Sequence, residues 1–149
     1  MASFLAPIRP TVRAVIFREG KLLVQVKIKQ GAPEYLTLPG GKQEPGETMQ
    51  SSLARECLEE VGADVIVGRL LHVAEVFKPK DLGTRHQVEM LFACEVGPDY
   101  TPRVGHHPDP SQIDTIWASP LDHADRFRPA FALHLASGDA PVYLGAFDG

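Results

Sequence analysis

The chain has 149 residues, 15 lysines and arginines against 19 aspartates and glutamates, and a formal charge of −4. With 44% hydrophobic and 23% charged residues it reads as one globular domain spanning 1–149. The mild acidity argues against a nucleic-acid partner, no run of ~18 apolar residues offers a membrane span, and no signal-peptide pattern opens the chain, so a cytoplasmic protein is expected.

In chain order, Thr11–Arg18 and Lys21–Lys27 are β-branched, apolar runs separated by Glu19-Gly20, a two-residue hairpin signal. Tyr35–Leu38 reads as a short strand entering a loop through Pro39-Gly40-Gly41, and the loop continues to Gly46. From Thr48 to Val61 the pattern turns helical, with Thr48 as N-cap and Gly62 as the stop. Ser51 stands where a capping box would place Glu or Gln. Asp64–Val76 and Arg85–Val96 read as longer strands around a turn-rich Lys78–Thr84. A polar loop with four prolines, Pro98–Gln112, leads to a strand at Ile113–Ser119, a helix over Leu121–Ala136 broken near Pro129, and a last strand at Val142–Leu144. Strands interleaved with two helices predict an α/β (α+β mixed) domain with a mixed sheet. Cys57 and Cys94 form no CxxC pair and fall in apolar-periodic segments, which predicts buried free thiols.

The Thr48–Val61 helix carries the chemistry. At 100° per residue Glu56, Glu59 and Glu60 share one face, and Leu53, Ala54, Cys57, Leu58 and Val61 form the other. Like charges at i, i+3 and i+4 repel, and they sit at the helix end where the macrodipole disfavours anions. Arg55 is the only cation within the helix. Such a cluster is either a plain solvated face or a site for a hard divalent cation, which takes carboxylates and keeps waters for a phosphate substrate. The preceding Gly40-Gly41 lets backbone amides and carbonyls approach a metal or phosphate closely.

The segment Gly41–Ala63, GKQEPGETMQSSLARECLEEVGA, resembles the Nudix box, G-x5-E-x7-R-E-U-x-E-E-x-G-U with U apolar. Gly41, Glu47, Arg55, Glu56, Glu59, Glu60 and Gly62 occupy the fixed positions. Cys57 and Ala63 are smaller than the usual aliphatic residues at U. The resemblance implies an α/β/α sandwich with a mixed sheet between helices. It also implies hydrolysis of a nucleoside diphosphate linked to another moiety, with Mg²⁺ as cofactor and Mn²⁺ as its alternative. By similarity Glu56, Glu59, Glu60 and the Gly40 carbonyl bind metal, while Glu47 and Arg55 pair and orient the carboxylates. Glu59 is the expected general base. Asp99, Asp109 and His106-His107 in the Pro-rich loop are its alternatives, and Glu89, Glu95 and Glu75 are candidate extra ligands.

Arg13, Lys27, Lys29, Lys42 and the Gly41 backbone are candidate phosphate contacts, and Tyr35, Phe77 or Tyr100 could stack on a base. A proline spaced like Pro79 from the box is a family hint of ADP-ribose hydrolysis, whereas the short N-terminal region favours the nucleoside triphosphate group. The leading expectation is therefore a (d)NTP cleaved to NMP and pyrophosphate. ADP-ribose, nucleotide-sugar or dinucleoside polyphosphate hydrolysis is the alternative, and a non-catalytic nucleotide sensor a third reading. Many relatives pair as homodimers, which makes a homodimer the expectation here. Between Glu44 and Asp64 six acids stand against one arginine, so the chain's acidity is concentrated in the predicted metal site.

Overall fold

A computed structural model describes residues 3–149. The first strand, β1 (Phe4–Val15), begins seven residues earlier than its β-branched core suggests. Its N-terminal half is extended by parallel pairing to a later strand, a long-range partner that local sequence does not signal. The chain then changes sheet at Ile16: β2 (Phe17–Arg18) and β3 (Lys21–Lys27) form the predicted hairpin. Glu19 and Gly20 at φ 51° and 77° supply its tight turn. β4 (Tyr35–Thr37) and β8 (Gln112–Ala118) pair antiparallel with β3, completing a four-stranded sheet.

The second sheet is mixed. β5 (Gly40–Lys42), expected as loop, adds to β1; β6 (Ile66–Lys80) and β7 (Gly83–Glu95) form a long hairpin, and β9 (Tyr143–Asp148) closes the order β5-β1-β7-β6-β9. β1–β7 and β6–β9 are parallel and the remaining pairs antiparallel. The stretch expected to turn at Lys78–Thr84 is strand as far as Lys80, because Lys78, Pro79 and Lys80 pair with Arg85, Thr84 and Gly83.

Helix α1 (Met49–Val61) starts as predicted: Thr48 Oγ1 accepts from Ser51 N–H at 3.0 Å, and the Ser51 hydroxyl donates back to the Thr48 carbonyl at 3.1 Å. Gly62 ends it at φ 63°. Leu53, Cys57 and Val61 are fully buried against Val12, Ala14, Leu23, Met90 and Phe92. Leu58, at the margin of the predicted apolar arc, is 48% exposed. The other core cluster seats Phe127, Phe131 and Leu135 on Val24, Leu36, Val76 and Leu91. The helix expected over Leu121–Ala136 is only a 3₁₀ turn (Ala124–Arg126) and a short α2 (Ala132–Ala136). Pro129 denies a continuous helix a backbone donor, and the large rings of Phe127 and Phe131 pin the segment to the sheet instead. Both cysteines are buried and free. Among the described residues no helix is long and apolar enough to cross a membrane.

Truncating Leu53 to alanine should cost about 2–5 kcal/mol in urea denaturation, whereas Leu58→Ala should change stability by less than about 0.5 kcal/mol. Equal losses would contradict this packing of α1.

Candidate active site

Close backbone approach builds the entrance to α1. Gly40 sits at φ 143°, and a Cβ there would stand 1.9 Å from the Val12 carbonyl oxygen. A Cβ on Gly41 would lie 2.8 Å from the Glu56 carboxylate. At Gly40, where the neighbour is backbone, only glycine fits, whereas at Gly41 the Glu56 carboxylate would have to move aside. Arg55 organises that face: its Nε and Nη2 donate to Glu47 at 2.7 and 2.9 Å, and Nη1 donates to Glu56 at 3.1 Å and Glu59 at 3.2 Å. The pairing holds Glu47 down at about 2 and pushes the guanidinium further up.

Glu60 is buried at 8% exposure, and its Oε1 accepts from Gln25 Nε2 at 2.7 Å and from Gly40 N–H at 3.1 Å. Burial nevertheless pushes its carboxyl up to about 7, and burial also raises Glu56. One arginine is too little positive charge for three carboxylates out of bulk water.

The segment after β7 caps the C-terminal end of α1. Gly105 N–H and Gln112 Nε2 both donate to the Glu60 carbonyl at 2.9 Å, and His107 N–H donates to that of Glu59 at 2.9 Å. Tyr100 Oη donates to the Val61 carbonyl at 2.6 Å, and Arg103 to that of Gly62. These donors satisfy carbonyls that the helix leaves unpaired and offset the macrodipole beside the glutamates.

A cleft of about 470 Å³ opens alongside, walled by Lys27, Tyr35 and Thr37 from the four-stranded sheet and floored by Arg13 and Lys78 from the mixed one. Seven cationic and two acidic side chains line it. The Arg13 guanidinium grips the fully buried Glu89 at 3.3 and 3.4 Å and donates to the Leu38 carbonyl at 3.3 Å. Lys27 lies 3.9 Å from Asp109, and its ammonium is pushed down by burial and by Arg13.

A family model, the NUDIX domain, matches residues 7–136. The chain belongs to the Nudix family. It is 32% identical over 98 residues to the CTP pyrophosphohydrolase of Escherichia coli K12, covering 56% of this chain and 73% of that protein. A NUDIX hydrolase from Nitrosomonas europaea has a TM-score of 0.72 at 21% identity, over 97% of this chain and 81% of its own. A MutT NUDIX hydrolase from Burkholderia pseudomallei gives 0.59 at 26% identity, over 77% and 85%. Membership makes this Nudix chain a hydrolase acting on diphosphate bonds.

The Nudix-box residues Glu47, Arg55, Glu56 and Glu59 are joined by hydrogen bonds around Arg55, and Gly40 and Gly41 adjoin Glu60 and Glu56. Arg13, Lys27, Lys29 and Tyr35 line the cleft. Lys42 does not: it sits on the short edge strand and lies 3.9 Å from Glu44. Phe77 instead stacks on His86, and Tyr100 caps α1. Glu89 is no free ligand, since the Arg13 pair consumes it; Glu75 is bound to His86 and Tyr143. Asp109 accepts from the Ser111 hydroxyl and from its N–H at 2.8 Å; against burial, the hydroxyl, Lys27 and the N–H hold its carboxyl low and make it a poor base. His107 Nδ1 lies 3.8 Å from Glu59 Oε2 with its ring mostly exposed.

Sequence reasoning missed Gln25, Gln112 and Lys78. A glutamine inside the apolar run Leu22–Val26 was the available signal for Gln25, because a polar residue there must have a buried partner.

Glu60 sets a pH dependence. Its folded value, about 7, lies above the ordinary 4.5, so between these values the folded state binds more protons and stability falls as pH rises. The loss is on the order of 3 kcal/mol. Glu47 acts below this window, its contribution vanishing as pH falls from 4.5 through about 2. Chelator-treated protein should lose stability from pH 4.5 to 7 in denaturant titrations, and Glu60→Gln should flatten that segment; an unchanged slope in the variant would refute the assignment to Glu60.

Proposed function

We propose that the chain is a divalent-metal-dependent pyrophosphohydrolase of nucleoside triphosphates, yielding a nucleoside monophosphate and pyrophosphate. The observation that carries it is the under-compensated cluster of Glu56, Glu59 and Glu60 beside a cation-lined cleft. Mg²⁺ takes oxygen donors and keeps several waters for a phosphate substrate. Glu56, Glu59, Glu60 and the Gly40 carbonyl would hold it, all oxygen donors, and Mn²⁺ would substitute. Glu60 favours this use because both its hydrogen bonds fall on Oε1.

A bound divalent ion would neutralise the diphosphate and acidify the attacking water. Glu59 takes the proton as water oxygen bonds to phosphorus and the bridging P–O bond breaks, releasing pyrophosphate. Arg55, anchored by Glu47, holds Glu59 and Glu56 in place. Lys27 and Arg13 offset phosphate charge, and Tyr35 supplies a ring for the base. The similarity to a CTP pyrophosphohydrolase supports a triphosphate substrate. ADP-ribose is the second reading, favoured by Pro79, which lines the cleft rather than a turn.

Glu59→Gln and Glu60→Gln should each lower kcat by more than about 100-fold with unchanged circular dichroism. Purified protein with Mg²⁺ or Mn²⁺ should hydrolyse NTPs or dNTPs faster than ADP-ribose, nucleotide sugars or dinucleoside polyphosphates, with products resolved chromatographically. Wild-type turnover in either variant, or turnover of no nucleotide, would overturn the proposal.

A further inference from the structure

The cations of the cleft are not evenly matched. Arg13 is satisfied by Glu89, Arg126 lies 3.3 Å from Glu34 at the rim, and Lys27 has only the distant Asp109. Lys78 has no carboxylate within 4 Å among the described residues. It belongs to the middle of the molecule, not to a turn. Cross-strand pairing places Ala74 opposite Glu89, and Lys78 follows Ala74 and Val76 on the same face of β6. Arg13 and Glu89 share that face, and Lys27 reaches the cleft from the other sheet.

Three strands of two sheets thus bring Arg13, Lys27 and Lys78 to one cleft around a single buried carboxylate. Arg13 is 9% exposed and Glu89 fully buried, so the excess positive charge sits where water screens it poorly. The cost is visible in Lys78, whose ammonium is pushed down to about 8 by burial and by Arg13, Lys27 and Lys80, with Glu89 opposing. Lys78 is half-buried, and an amine partly withdrawn from water with no carboxylate beside it favours a ligand that supplies the missing anion. Tyr35 is the only aromatic side chain lining the cleft, so charge rather than stacking dominates its chemistry.

We propose that Lys78, with Lys27 and Arg13, forms a subsite for a phosphate group beyond the two engaged at the glutamate cluster. It makes this chain selective for substrates carrying that extra phosphate. The proposal rests on the pyrophosphohydrolase reading for its catalytic consequence. The extra phosphate has two sources: the third phosphate of a nucleoside triphosphate, or a phosphate on the organic moiety of a diphosphate ester. Lys78 acts as a specificity residue, holding phosphate oxygens by charge without entering the chemical step.

The test uses Lys78→Gln and Lys78→Arg in the whole protein. With Mg²⁺ present, calorimetric titration of inorganic tripolyphosphate and pyrophosphate measures the subsite without nucleotide turnover. Lys78→Gln should weaken tripolyphosphate at least tenfold more than pyrophosphate, and Lys78→Arg should restore it. Steady-state kinetics then compare CTP with CDP, and ADP-ribose 2′-phosphate with ADP-ribose. A KM ratio that shifts at least tenfold against CTP, with kcat kept, assigns the chain phosphate; the same shift against the 2′-phosphate assigns the organic one. Equal effects within both pairs and on both inorganic anions, or none, would overturn the subsite. Tripolyphosphate discrimination by Lys78 in a protein that turns over no nucleoside triphosphate would instead retain the subsite and reject the triphosphate pyrophosphohydrolase reading.

Discussion

The structure is organised around the difficulty of holding three carboxylates at the negative end of a helix. Glu56, Glu59 and Glu60 repel one another and the exposed carbonyls of the last turn of α1. Arg55, itself fixed by Glu47, gathers Glu56 and Glu59 from the same helix. Gln25 and the Gly40 amide take Glu60 from two strands. Donors from residues 100–112 take the carbonyls of residues 59 to 62. Most of these partners come from outside the helix, so the acidic face exists only in the folded chain.

The same constraint orders the two sheets. β1 must pass within contact distance of Gly40, which ties the β5 edge to the helix and leaves no room for a Cβ. On the face opposite α1, Arg13 and Lys78 line the cleft with Lys27. The glutamate cluster therefore lies beside the cation-lined cleft without lining it. Arg13 feels Glu60 and Glu56 as well as Glu89, so an anionic ligand neutralising the cleft and a cation neutralising the glutamates would reinforce each other.

The polar residues under the site also explain where rigidity comes from. Gln112 bridges the Glu60 carbonyl and the Thr115 hydroxyl, and Gln25 spans to the Glu60 carboxylate. Among the described residues neither amide oxygen has a protein hydrogen-bond partner. The hydrogen bonds made by the two amide nitrogens fix the orientation of both side chains beneath the site.

The helix of the site was legible because its signals are local. Thr48, the i, i+3, i+4 pattern and Gly62 act within a few residues of one another, and the motif Gly41–Ala63 lies on contiguous chain. The Glu19-Gly20 hairpin was legible for the same reason. The Leu121–Ala136 helix failed because its apolar period serves Phe127 and Phe131, whose burial in a distant cluster overrides helical propensity. Lys42 looked like Lys27 in sequence, yet strand pairing sends one to the edge and the other to the cleft. By itself, then, the sequence determined the family motif, the acidic helix face and the order of most elements. Tertiary structure alone decided which cations meet the glutamates, that Glu89 is spent on Arg13, and that Lys78 lines the cleft with no carboxylate within 4 Å among the described residues. Each of these depends on strands far apart in the chain, and charge partnership is a property of distance in space rather than along the sequence.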